Sequence, residues 1–139
     1  MGQRRRRRIG LPGESPRRVV KALFDTNILI DFLNAVPPAR DELNRYEAKA
    51  ISIITWIEVL VGAPPLATRA TRDFVDSFEL IELNEKVAER AVRLRQQHRV
   101  KLPDAIVWAS AEVHAMLLVT RDTRGFPPGD PGVRMPYRV

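Results

Sequence analysis

At 139 residues and 45% hydrophobic content the chain suits one globular domain with its own core, and no apolar run is long enough to cross a bilayer. The lack of cysteine excludes disulfides and thiolate metal sites, and a basic N-terminus with no apolar segment behind it does not read as a secretory signal. A cytoplasmic protein is expected. The net charge of +6 looks like a nucleic-acid signature until it is located: residues 1–20 hold seven arginines (Arg4 to Arg8, Arg17, Arg18) against Glu14 alone, which leaves 16 basic and 16 acidic residues elsewhere. Residues 1–18 therefore read as a disordered basic arm, and residues 19–139 as the domain. Translation starting at Val19 or Val20 would remove the arm, so no functional argument rests on it.

In chain order, Val19 to Phe24 predicts a short buried strand of a two-sided parallel sheet. Asn27 is expected to cap a helix from Ile28 to Leu33, stopped by Pro37-Pro38, and Pro38 opens a second helix to about Tyr46. Ala50 to Ile54 reads as a strand, followed by a helix from Thr55 to Gly62. Ala67 to Ser77 is amphipathic, with Phe74, Val75 and Phe78 toward the core, and Phe78 to Leu83 reads as a half-exposed strand. Asn84 caps a long helix from Glu85 to about His98, with Val87, Ala88, Ala91, Val92 and Leu94 as its apolar stripe. Pro103 sits in the first turn of a largely apolar helix, Asp104 to His114, and Leu117 to Thr120 is a further buried strand. Val133 to Val139 closes as an edge strand, since Pro136 cannot donate to a central ladder. This alternation predicts an α/β fold: a three-layer α/β/α sandwich with a largely parallel central sheet.

Four carboxylates stand where hydrophobic runs break: Asp25, Glu58, Asp104 and Asp122. At the carboxyl ends of parallel strands such positions converge on one crevice, and the usual relief for clustered carboxylates is a divalent cation held through oxygen. Each acid also has an ordinary explanation. Glu58 follows Thr55 at capping-box spacing, Asp104 suits the first turn of a helix, and Asp122 suits the turn Asp122-Thr123-Arg124-Gly125. Asp25, directly after a buried strand, is hardest to explain so. Capping does not require four acids at one sheet edge, whereas Mg²⁺ or Mn²⁺ needs such a set to align water and polarise a phosphate ester. The acids Asp31, Asp41, Asp73, Asp76, Glu79, Glu82, Glu85 and Glu89 are expected to be solvated. His98 and His114 lack partners at zinc-ligand spacing, and Trp56 and Trp108 are expected in the core.

These residues resemble the PIN-domain nucleases, and among them the small VapC-type toxins of bacterial toxin–antitoxin pairs. The carriers are Phe24-Asp25-Thr26-Asn27-Ile28-Leu29-Ile30-Asp31, Thr55-Trp56-Ile57-Glu58-Val59-Leu60-Val61-Gly62, Leu102-Pro103-Asp104-Ala105-Ile106-Val107-Trp108-Ala109-Ser110-Ala111, and Leu118-Val119-Thr120-Arg121-Asp122-Thr123-Arg124-Gly125-Phe126. The resemblance spans the chain from about Val20 onward. It implies a Mg²⁺- or Mn²⁺-dependent endoribonuclease in which Asp25, Asp104 and Asp122 are the principal metal ligands. Glu58 would complete the pocket, through water or by positioning the attacking water. Thr26, Asn27 and Thr120 are secondary candidates. Many relatives carry a further acid just before the phenylalanine of the last motif, where Gly125 stands here. The resemblance also implies an RNA substrate, a homodimer, and a cognate antitoxin that reaches the pocket, often with a basic side chain able to bond paired carboxylates. The outer face of the Ala67 to Phe78 helix and the groove near Trp56 are the expected docking surfaces.

Rivals fit less well. A phosphoacceptor receiver domain needs a lysine ending a late strand and paired acids after the first, and Lys21, Lys49, Lys86 and Lys101 are misplaced for it. A phosphatase with a nucleophilic aspartate needs an acid where Asn27 stands. A catalytically silent module that binds metal or a partner is the remaining alternative, kept open by Gly125.

Overall fold

The first strand, β1 (Lys21–Phe24), shows how the layers form: Ala22 and Phe24 point to one face and Leu23 to the other, and all three are fully buried. The computed structural model describes residues 20–127 and 129–138. The basic arm, Val19 and Val139 lie outside these. After β1 come α1 (Thr26–Leu33), α2 (Pro37–Leu43), β2 (Ala48–Ser52), α3 (Ile53–Val61), a 3-10 turn (Pro65–Ala67), α4 (Thr68–Asp76) and β3 (Glu79–Ile81). The chain continues through α5 (Glu85–Gln97), α6 (Leu102–Val113), β4 (Leu117–Val119) and β5 (Val133–Arg134).

The five strands form one sheet in the order β3-β2-β1-β4-β5, and every pairing is parallel. One face packs Leu23, Ala50 and Leu118 against Val87, Ala91 and Leu94 of α5 and the buried run Ala105–Ala111 of α6. The other packs Phe24, Ile51 and Val119 against Ile28 and Leu29 of α1, Leu43 of α2, Val59 of α3 and Val75 of α4. The expected three-layer sandwich is therefore the observed architecture. Its strand order reverses between β1 and β4, and at such a switch point the connections leave in opposite directions and open a crevice at the carboxyl ends of the strands.

Several local expectations need correction. Asp25, not Asn27, caps α1: its carboxylate accepts from the Thr26 amide at 2.8 Å. Strand β2 ends at Ser52, whose hydroxyl accepts from the Ile54 amide at 3.1 Å, so α3 starts two residues before the expected Thr55. Thr55 then lies inside the helix and no capping box with Glu58 forms. Helix α2 ends at Leu43 rather than Tyr46, whose ring packs edge-on to Phe24. On α5 the Asn84 cap is as expected, but Val92 is 55% exposed and Ala88 is exposed, so the buried stripe is Val87, Ala91 and Leu94. Trp108 is buried as expected. Trp56 is only half-buried, its indole donating to Asp76 at 3.0 Å under the Arg72 guanidinium.

Candidate active site

Strands β1 and β4 pair with Phe24 opposite Val119, which brings the residues just beyond them, Asp25 and Thr120, side by side. The Asp25 amide extends the ladder by donating to the Val119 carbonyl at 2.9 Å. The Thr120 hydroxyl donates to Asp25 Oδ2 at 2.7 Å, and the Asn27 amide reaches the same oxygen at 3.2 Å. Asn27 and the Asp122 amide also donate to Thr120 Oγ1, at 3.2 and 3.1 Å. Asp25 is thus buried, 6% exposed, in a cage of donors supplied by both sides of the switch point.

Glu58 arrives from α3. Thr26 Oγ1 donates to Glu58 Oε1 at 2.6 Å and lies 3.0 Å from Thr55 Oγ1. A hydroxyl has one hydrogen, so Thr26 gives its own to the carboxylate and accepts from Thr55. Asp104 comes from the first turn of α6 and Asp122 from the turn after β4. An ideal Cβ at position 125 would stand 2.4 Å from Asp122 Oδ2 and 3.1 Å from Asp104 Oδ2, so these two acids meet over the bare Cα of Gly125.

Electrostatics tie the four acids together. Burial, and then the negative fields of Asp25, Asp122 and Glu58, push Asp104 up to about 6, with Lys101 opposing weakly. Burial also raises Asp25, with the Glu58 and Asp122 carboxylates adding to it and the Thr120 and Thr26 hydrogen bonds restraining it. Mutual repulsion of this kind is what a bound cation relieves. The donors are all oxygen, which suits Mg²⁺ or Mn²⁺ rather than a soft metal. Among the described residues no three acids or histidines are gathered tightly enough to hold an ion as they stand, so the cluster is open.

The family model described as PIN domain matches residues 22–127, most of the chain and all four acids. The chain belongs to the PIN-domain family. Within that family it is similar to Ribonuclease VapC10 of Mycobacterium tuberculosis, 31% identical over 113 residues that cover 76% of this chain and 85% of the relative. Among solved structures, a chain of a toxin–antitoxin complex from Klebsiella pneumoniae is 45% identical with a TM-score of 0.81, covering 86% of this chain and 100% of that one. The DNA-bound VapBC from Salmonella typhimurium is 24% identical with a TM-score of 0.67 over 83% of this chain and 96% of that one, a likeness of fold.

All seven site residues read from the PIN motifs, Asp25, Thr26, Asn27, Glu58, Asp104, Thr120 and Asp122, meet at this crevice. One acid set aside as solvated does not behave so. Asp31 is 4% exposed and accepts from Arg121 through two nitrogens, at 2.5 and 3.0 Å, and from the Tyr137 hydroxyl at 2.9 Å. The Arg121 amide donates to Asn27 Oδ1 at 3.2 Å, so this pair anchors the chain immediately before Asp122 to α1. A second buried acid, Glu42, pairs in the same way with Arg134 at 2.7 and 3.0 Å and with Tyr46 at 2.8 Å. A recess of about 400 Å³ lined by Phe32, Leu43, Phe74 and Phe78 lies toward the opposite edge of the sheet, by Lys49, and contains none of the four acids.

Proposed function

We propose that this PIN domain is a Mg²⁺- or Mn²⁺-dependent endoribonuclease and the toxin of a toxin–antitoxin pair. The observation that carries the reading is the convergence of four carboxylates at the β1/β4 switch point, with Asp104 pushed up to about 6 by burial and its neighbours. The similarity to Ribonuclease VapC10, and to a chain of a toxin–antitoxin complex, supports an RNA substrate and an antitoxin partner.

In this reading Asp25, Asp104 and Asp122 would hold the ion. Mg²⁺ or Mn²⁺, when bound, supplies charge to polarise the scissile phosphate and acidifies the attacking water. Thr120 and Asn27 fix the Asp25 oxygens, and Thr26 fixes one oxygen of Glu58. The free Glu58 oxygen orients the water and takes its proton as the phosphodiester opens. The antitoxin would cover this crevice, and the exposed apolar side chains Ile57, Val61 and Leu66, beside the Trp56–Arg72 stack, offer it a docking face. A homodimer in the cytoplasm completes the reading. No helix among the described residues is long and apolar enough to cross a membrane.

Gly125, standing where many relatives carry an acid, keeps one alternative open, a silent module that binds metal or a partner without turnover. Cleavage of total cellular RNA by purified protein separates the two, run with Mg²⁺, Mn²⁺ or EDTA beside Asp25→Asn and Asp104→Asn. The nuclease reading expects metal-dependent cuts lost by about a hundredfold or more in both variants. Equal cleavage by the variants would assign the activity to a contaminant, and none by a folded, metal-binding wild type would favour the silent module.

A further inference from the structure

We propose that Gly125 is a positioning residue of the acid cluster: the side chain it lacks leaves the seat on which the Asp122 carboxylate rests beside Asp104. The inference deepens the nuclease reading and depends on it only for its activity arm.

A Cβ at residue 125 would lie 2.4 Å from Asp122 Oδ2, 3.0 Å from its Cγ and 3.1 Å from Asp104 Oδ2. The first distance is shorter than non-bonded contacts to a Cβ, so a side chain at 125 must shift the Asp122 carboxylate. That carboxylate is not free to swing aside at no cost. The amides of Arg124 and Gly125 each donate to its Oδ1 at 3.0 Å, and the Asp122 amide is tied to Thr120 Oγ1, whose hydrogen goes to Asp25. One turn thus sets Asp122 against Asp104 on one side and couples it to Asp25 on the other.

Backbone geometry does not explain the glycine. Among the described glycines Gly129 alone lies in the left-handed region, with φ 81°, so alanine can take the conformation of Gly125 without strain. The displacement would fall on the carboxylate rather than on the turn. A carboxylate at 125 would meet the same clash, since its Cβ starts 2.4 Å from Asp122 Oδ2.

The test uses the full chain with Gly125→Ala, Gly125→Asp, Asp122→Ala and the Gly125→Ala/Asp122→Ala double variant. Mn²⁺ affinity is read by calorimetry, fold by melting temperature, and RNA cleavage separately. Gly125→Ala and Gly125→Asp should each weaken Mn²⁺ binding by about 10- to 100-fold with melting near wild type. The double variant should bind no more weakly than Asp122→Ala alone, since Gly125 acts through Asp122. Wild-type affinity in Gly125→Ala, tighter binding in Gly125→Asp, additive losses in the double variant, or a large drop in melting temperature would each overturn the proposal. A wild type that binds Mn²⁺ without cutting RNA defeats the nuclease reading while the affinities still judge Gly125. One that binds no Mn²⁺ overturns both.

Discussion

Replacing Asp31 by asparagine is a sharp test of how the crevice is held. The Asp31 side chain is 6% exposed and takes two hydrogen bonds from Arg121 and one from Tyr137. Removing one partner of a buried ion pair costs about 3–5 kcal/mol, because the other charge is left without compensation. Here the orphan is Arg121, whose side chain is 34% exposed, so water would screen it and reduce the loss to about 2–3 kcal/mol. With a urea slope of about 1.5 kcal/mol per molar, the unfolding midpoint should fall by about 1.3–2 M at unchanged slope. Burial alone would raise the Asp31 carboxyl, but the Arg121 and Tyr137 hydrogen bonds and the guanidinium charge outweigh it and hold it below its ordinary value. Its contribution is therefore full above the unfolded carboxyl's pKa of about 4 and is lost as pH falls through the lower folded value. The gap between wild type and Asp31→Asn should be complete at pH 7 and close well below pH 4. A midpoint shift under about 0.3 M at pH 7, or a gap that widens in acid, would show that the Asp31–Arg121 pair does not hold the crevice.

Three further outcomes follow from single contacts. Thr26→Val removes the donor that holds Glu58 and should lower RNA cleavage by about tenfold with stability little changed, while Thr26→Ser should retain activity; equal rates for both would separate Thr26 from the chemistry. Ala115, with φ 54°, ends α6 in the left-handed region, so Ala115→Gly should stabilise the protein by about 1 kcal/mol, read as a rise of a few degrees in melting temperature. Arg134→Met strands the buried Glu42 carboxylate, which water cannot screen, and should cost about 3–5 kcal/mol in urea unfolding, whereas the Glu42→Leu/Arg134→Met pair should recover much of that loss.

What could be read from the sequence was what local chemistry writes there. The sheet was legible because Ala22, Leu23 and Phe24 are apolar on both faces, as only a covered parallel strand requires, and α5 because Asn84 caps a 3.6-residue stripe. The four acids were legible because each breaks such a run, and the motifs around them place the chain among PIN domains. The start of α3 was misplaced because Ile51-Ser52-Ile53-Ile54 suits strand and helix alike, and only the Ser52 cap decides between them. Asp31 and Glu42 were invisible for a different reason. Their arginines stand 90 and 92 residues away, and nothing near either acid announces a partner that the fold alone supplies.

A single cation site formed by Asp25, Asp104 and Asp122, with Glu58, can be sought in a crystal. Anomalous diffraction at the manganese edge from crystals grown with Mn²⁺ addresses it directly. The proposed site should give a peak at the carboxyl ends of β1 and β4, within coordinating distance of oxygens of Asp104 and Asp122 and reached by Asp25 directly or through water, and no such peak in Asp104→Asn. A well-ordered crevice with no peak at millimolar Mn²⁺, or a peak elsewhere on the chain that survives Asp104→Asn, would contradict it.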